Sequence, residues 1–183
     1  LYRRRQRQMC IRDRSISNFS DFDPLENEKS LLIEWIRESQ NLKKYDFIII
    51  PGSKQTIKDQ IYLKNSGLSQ DIREYANNNG NIVGICGGLQ MLGTILEDPY
   101  SKEGSKNYSE QKIKGIGLLP LKTTFLEKKI TRQINSQSLW PCQTKINGFE
   151  IHNGQTKLDK TQYSLDIKPI FKNLDLGLSL IHI

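Results

Sequence analysis

Apolar residues are unevenly spaced along the chain, and their spacing marks out its elements. Tyr45-Asp46-Phe47-Ile48-Ile49-Ile50 sets four apolar residues in a row after an acid and closes on Pro51-Gly52-Ser53. A short, unalternating run rich in β-branched side chains predicts a strand buried on both faces, as in a parallel sheet. Thr56 to Lys64 and Leu68 to Asn79 then read as helices, the second stopped by Gly80. Asn81-Ile82-Val83-Gly84-Ile85-Cys86 predicts the next buried strand. Gly87 to Leu96 predicts a helix with Leu89, Leu92 and Leu96 on one face. Strand, helix, strand and helix in this order predict a right-handed βαβ unit whose helices cover the sheet.

Beyond it the pattern changes. Asp98 to Lys114 is polar and glycine-bearing and reads as a loop, whereas Ile116 to Leu121, Thr123 to Ile134 and Lys145 to His152 predict strands. Lys168 to Phe171 suggests one more. Leu31 to Ser39 reads two ways: propensity favours a helix, while Leu31, Ile33 and Trp35 alternate as in a strand. No internal repeat and no heptad run is present.

Charge changes the picture less than its total suggests. The 183 residues carry 27 Lys+Arg against 20 Asp+Glu, a formal net charge of +7 that invites a nucleic-acid or anionic-membrane partner. Residues 1–14 hold six of the nine arginines and one acid, Asp13; the other arginines are Arg37, Arg73 and Arg132. The remaining 169 residues contain 21 basic and 19 acidic side chains, a net of +2. Basic residues without interleaved aromatics offer only phosphate attraction, so neither nucleic acid nor membrane is expected as a partner. No run approaches the roughly 18 apolar residues of a membrane span, and no apolar core follows the basic N-terminus as in a secretory signal. Cys10, Cys86 and Cys142 are odd in number and widely spaced, which fits neither a disulfide framework nor a metal site. A reducing, cytoplasmic setting is the expectation.

The segment richest in chemistry is Gly84-Ile85-Cys86-Gly87-Gly88, a nucleophile centred in a G-x-Nu-x-G pattern between a strand and a helix. Glycines at ±2 relieve crowding in the strained turn that lifts the nucleophile to the carboxyl edge of a sheet. A helix N-terminus behind the sulfur is expected to lower the thiol pKa and to present N–H groups to an oxyanion. Pro51-Gly52-Ser53-Lys54 ends the preceding strand, where a parallel sheet opens its crevice. Cys142 and the lysines 112, 114, 128 and 129 read as an incidental thiol and a solvated face.

Ile-Pro-Gly-Ser-Lys-Gln-Thr-Ile-Lys-Asp at 50–59, followed by Gly-Ile-Cys-Gly-Gly-Leu-Gln-Met-Leu-Gly at 84–93, resembles the class I glutamine amidotransferase domains. Ser17-Asn18-Phe19-Ser20-Asp21-Phe22-Asp23 and Glu150-Ile151-His152-Asn153-Gly154 narrow the resemblance to the cobyric acid synthase branch, and Gly115-Ile116-Gly117-Leu118-Leu119-Pro120 agrees with it. The first of these segments counts against two neighbouring branches, cobyrinate a,c-diamide synthases and peptidoglycan-amidating glutaminases. The resemblance covers roughly residues 15–177. It implies an α/β, flavodoxin-like fold, a mostly parallel sheet with helices on both faces, truncated at both ends, and it makes Leu31 to Ser39 a strand.

It also implies roles. Cys86 would attack the side-chain amide of glutamine, giving a γ-glutamyl thioester and ammonia. Backbone N–H groups of Gly52 or Ser53, with that of Gly87, would form the oxyanion hole, and Gln90 would help hold the glutamine. The domain itself would need no cofactor. Ammonia would pass to an ATP- and Mg-dependent synthetase domain that amidates a corrinoid, and no G-x-x-x-x-G-K-[ST] phosphate loop exists in this chain for such a role. The base is less direct. His152 is the choice from the residues alone, His182 being the only other histidine. The resemblance instead places the catalytic histidine in a later Gly-Thr-Tyr-x-His-Gly segment, which the sequence lacks, and makes His152 structural or substrate-side. By spacing, Glu150 is not expected to act as a triad acid, and Gly154 stands where many relatives carry the glutamate of an H-x-E pattern.

Residues 1–14 and 178–183 resemble translated sequencing-adapter read-through, so the natural domain is expected at 15–177, as an internal piece of a longer protein with little activity of its own. With the first strand starting inside the leader, an incomplete sheet edge is expected.

Overall fold

A computed structural model describes residues 6–11, 19–103, 111–139, 142–159, 167–172 and 178–180. Four strands form a wholly parallel sheet in the order β2-β1-β3-β4: β1 (Gln6–Ile11), β2 (Leu31–Ile36), β3 (Phe47–Ile50) and β4 (Asn81–Gly84). The alternation of Leu31, Ile33 and Trp35 prevails over helix propensity because the segment lies along β1. The strand that the sequence assigns to the leader lies between β2 and β3, not at an open edge: Cys10 is in register with Trp35 on one side and Ile49 on the other.

The isoleucine run of β3 serves two layers, as its unalternating pattern predicts. Ile48 and Ile50 join the main core with Ile57, Leu63, Leu68 and Ile72 from α2 (Thr56–Asn65) and α3 (Leu68–Asn77). Ile49 and Phe47 face the other way, against Phe22, Ile33 and Trp35. That second face is thinly covered, by a 3-10 turn at Phe19–Phe22 and the single-turn α1 (Asp23–Glu26). Phe22 meets Trp35 edge-on at 5.2 Å, and the Trp35 indole N–H donates to Glu26 at 3.0 Å.

Two predicted elements are replaced. The helix at 87–96 ends early: α4 covers Gly87–Met91, and Ile95–Glu97 forms β5, with Leu96 fully buried. Ile116 to Leu121 is not a strand either. Ile116 donates to Met91 O at 2.7 Å, and Leu118 and Leu119 both donate to Leu92 O at 2.9 Å. The segment thus satisfies the carbonyls that a short helix leaves unpaired.

Within the expected 98–114 loop, Lys112–Lys114 forms β6, antiparallel to β5. On its other side β5 runs parallel to β7 (Leu121–Gln137), which pairs antiparallel with β8 (Lys145–Leu158). The long β7–β8 ribbon carries a bulge between Phe125 and Ile130. Near its far end, β9 (Ile167–Pro169) pairs with β10 (Leu178–Leu180), and Phe171 bridges Ser138. No helix among the described residues is long and apolar enough to cross a membrane.

Candidate active site

Cys86 stands where β4 ends and α4 begins, with φ 52° and ψ −111°. This left-handed φ is rare for a residue with a side chain and is the strained turn expected of a nucleophile elbow. The space for it comes from Gly88: a Cβ there would lie 2.0 Å from Ile50 O and 2.9 Å from Pro51 O, so only glycine lets α4 seat against the end of β3.

The same close packing brings the second predicted motif to the first. The Cβ position of Gly87 is 3.0 Å from Ser53 N, which places the backbone of the Pro51-Gly52-Ser53 turn beside the residue that follows Cys86. Gly52 and Gly87 are buried and Ser53 is half-buried. Ser53 Oγ donates to the buried Asp59 carboxylate and accepts the Gln55 N–H at 2.9 Å, which fixes the turn.

Electrostatics departs from the expectation. The Cys86 thiol is pushed up, not down: although the residue is open to solvent, packing around it desolvates the sulfur, and this outweighs the helpful hydrogen bond from Gly87 N–H. The charge of Glu103 pushes in the same direction. With five residues, α4 has a weak dipole to set against these effects.

Gln90, one turn beyond Cys86, is buried beneath β8. A Cβ on Gly154 would lie 2.5 Å from Gln90 Nε2, 3.0 Å from Thr123 Cγ2 and 3.1 Å from Phe125 Cε1. A side chain at this position would displace the Gln90 amide and press on Thr123 and Phe125, so Gly154 suits the close approach of β8 to α4.

Cys86 and Gln90 line one side of a groove of about 740 Å³, and Arg132, Glu150 and His152 line the ribbon side. His152 does not hydrogen-bond Cys86. Its Nε2 pairs with Glu150, and its Nδ1 is buried without a partner. Glu150 and His152 are two apart on one strand and so share a face, and Glu150 also binds Arg132, its cross-strand neighbour. Burial works against the Glu150 charge, but Arg132 and His152 outweigh it and hold the carboxyl below its ordinary range. Glu150, not expected to act as a triad acid, nevertheless pairs with His152, without either residue hydrogen-bonding Cys86. Spacing judged along the chain misses a pair made by strand periodicity.

Glu103, Thr56 and Asn153 also reach this site; Thr56 and Asn153 fall within the 50–59 and 150–154 segments without having been singled out, and Glu103 lies in no motif. His182 lies outside the described residues, as do Ser17 and Asn18 of the resemblance. Cys142 is exposed, with Thr144 Oγ1 at 3.4 Å as its neighbour, and the four lysines are exposed. Among the described residues no cluster suited to a metal ion occurs.

The sequence profile of the CobB/CobQ-like glutamine amidotransferase domain matches residues 9–174. A cobyric acid synthase of Prochlorococcus marinus strain MIT 9312 is 80% identical over 163 residues, 89% of this chain and 32% of the relative. One from strain NATL2A is 49% identical over 162 residues, 88% of this chain and again 32% of the relative. The chain therefore spans about a third of the length of these relatives. Among solved structures, a glutamine amidotransferase crystal structure aligns with TM-score 0.65 at 12% identity, over 94% of this chain and 84% of the other. The PurLQS structure from Thermotoga maritima aligns with TM-score 0.61 at 14% identity, over 94% and 78%.

Proposed function

The chain belongs to the CobB/CobQ-like glutamine amidotransferase domain family, and from that premise we propose that it is the glutaminase portion of a cobyric acid synthase, supplying ammonia for amidation of a corrinoid. The observation that carries this reading is Cys86 held at positive φ between β4 and α4, with the Ser53 backbone packed against Gly87.

Chemically, the Cys86 sulfur bonds to the side-chain carbonyl carbon of glutamine, and the oxygen takes the negative charge. The N–H groups around Ser53 and Gly87 receive that oxyanion. Collapse breaks the C–N bond, the nitrogen leaves with a proton as ammonia, and water then cleaves the thioester to glutamate. Gln90, which lines the same groove as Cys86, would help hold the substrate. The base is the incomplete part. His152 is the one described histidine on the groove, tied back by Glu150, and a Gly-Thr-Tyr-x-His-Gly segment does not occur in the sequence. In a protein of the relatives' length, the released ammonia passes to the ATP- and Mg-dependent synthetase portion, and the setting is cytoplasmic.

The test is Cys86→Ala in a full-length parent. Glutamine-dependent amidation should disappear while amidation from added ammonia persists. Retained glutamine-dependent turnover would overturn the assignment.

A further inference from the structure

The inference rests on Cys86 as the site's nucleophile and concerns what restrains it. After β5 the chain folds around Asp98, which is fully buried and accepts the backbone N–H groups of Lys102 at 2.8 Å and Glu103 at 2.9 Å. Ser101, at φ 52°, makes the turn. The folded loop delivers Glu103 to two other elements. Its Oε2 accepts the Thr56 N–H, at the first residue of α2, at 3.1 Å, and its carboxyl also bonds the Asn153 side chain on β8. Thr56 is itself against the elbow, its Oγ1 3.0 Å from the Cβ position of Gly87. A carboxylate is thus held by two elements, one of which, at Thr56, packs against the residue that follows Cys86.

The other charged groups around the groove are engaged elsewhere. Arg132 and His152 bind Glu150, Ser53 binds Asp59, Asp98 holds its own loop, and Lys157 lies further along the ribbon. We propose that Glu103 is an electrostatic brake on Cys86: held at the elbow through Thr56, its carboxylate opposes the thiolate in the empty site and adds to the restraint that burial already places on the sulfur. Like charges in one partly desolvated site cannot both form freely. Burial raises the Glu103 carboxyl above its ordinary value, and the negative charge of Asp98 adds to this. An ionised Glu103 makes the thiolate harder to form.

The test uses the whole 183-residue chain and needs no turnover, so its outcome is separate from that of the glutaminase reading. Iodoacetamide alkylation is followed against pH by site-resolved mass spectrometry, with the exposed Cys142 as internal reference. Glu103→Gln should move the Cys86 profile to lower pH and speed its alkylation near neutrality several-fold, while burial of the sulfur keeps the profile above that of a free thiol. Glu103→Asp should stay nearer the parent and Cys142 should not move. Glu103→Ala repeats the reading should the glutamine variant lose its fold, as circular dichroism would report. An unchanged Cys86 profile in a folded variant, or equal shifts at Cys86 and Cys142, overturns the proposal.

Discussion

Gly88 and Gly148 separate two uses of one residue type. At Gly88 a methyl group would collide with the carbonyl of Ile50, backbone that cannot yield, whereas at Gly148 nothing lies within 4 Å. Gly88→Ala should therefore cost more than about 3 kcal/mol, the upper range for overpacking a tight site, and Gly148→Ala should stay within about 0.5 kcal/mol. Urea unfolding of the two variants checks both. Equal costs would mean that the elbow is looser than its distances indicate. At this scale the elbow at Cys86 and Gly87 was legible in the sequence, because a cysteine between a strand and glycines calls for a tight turn, although that strand proves half-exposed rather than buried; Gln90 came from the family resemblance. Glu103 was not. It sits in a polar loop, and its partners Thr56 and Asn153 are 47 and 50 positions away in the chain. Glu150 was legible in principle, through the two-residue period of β8.

Elements were read well where burial alone decides them and poorly where they complete one another. The Phe47–Ile50 run, the α2 and α3 helices and the β7 and β8 strands follow from local pattern. The exchange of a predicted helix end for β5, and of a predicted strand for the 116–121 segment, does not. Those two segments cap and pair with each other, so neither has its conformation alone. β1 carries the sharpest element-scale expectation. It fills an interior slot and hydrogen-bonds on both sides, so deleting residues 1–14 should expose two strand edges at once and abolish a cooperative thermal transition followed by circular dichroism. A truncated chain that melts as sharply as the parent would show that the sheet closes without this strand.

For the molecule as a whole, the net charge of +7 is concentrated in residues 1–14, and the part that builds the groove is close to neutral. Alone, the 183-residue chain should show little or no glutaminase activity, because neither nitrogen of His152 reaches Cys86 and the thiol is pushed up. Ammonia release assayed with glutamine checks this, and robust turnover lost on His152→Ala would prove the expectation wrong. The sequence by itself determined the parallel-sheet core and the position of Cys86 at the elbow, since buried β-branched runs and a glycine-flanked cysteine impose their structure locally. Tertiary structure alone decided what surrounds that cysteine. The Glu150–His152 pair, the closure of β8 over Gln90 and the carboxylate of Glu103 arise from strands and loops meeting across long stretches of chain, where hydrogen bonding and desolvation depend on contacts that no local pattern records.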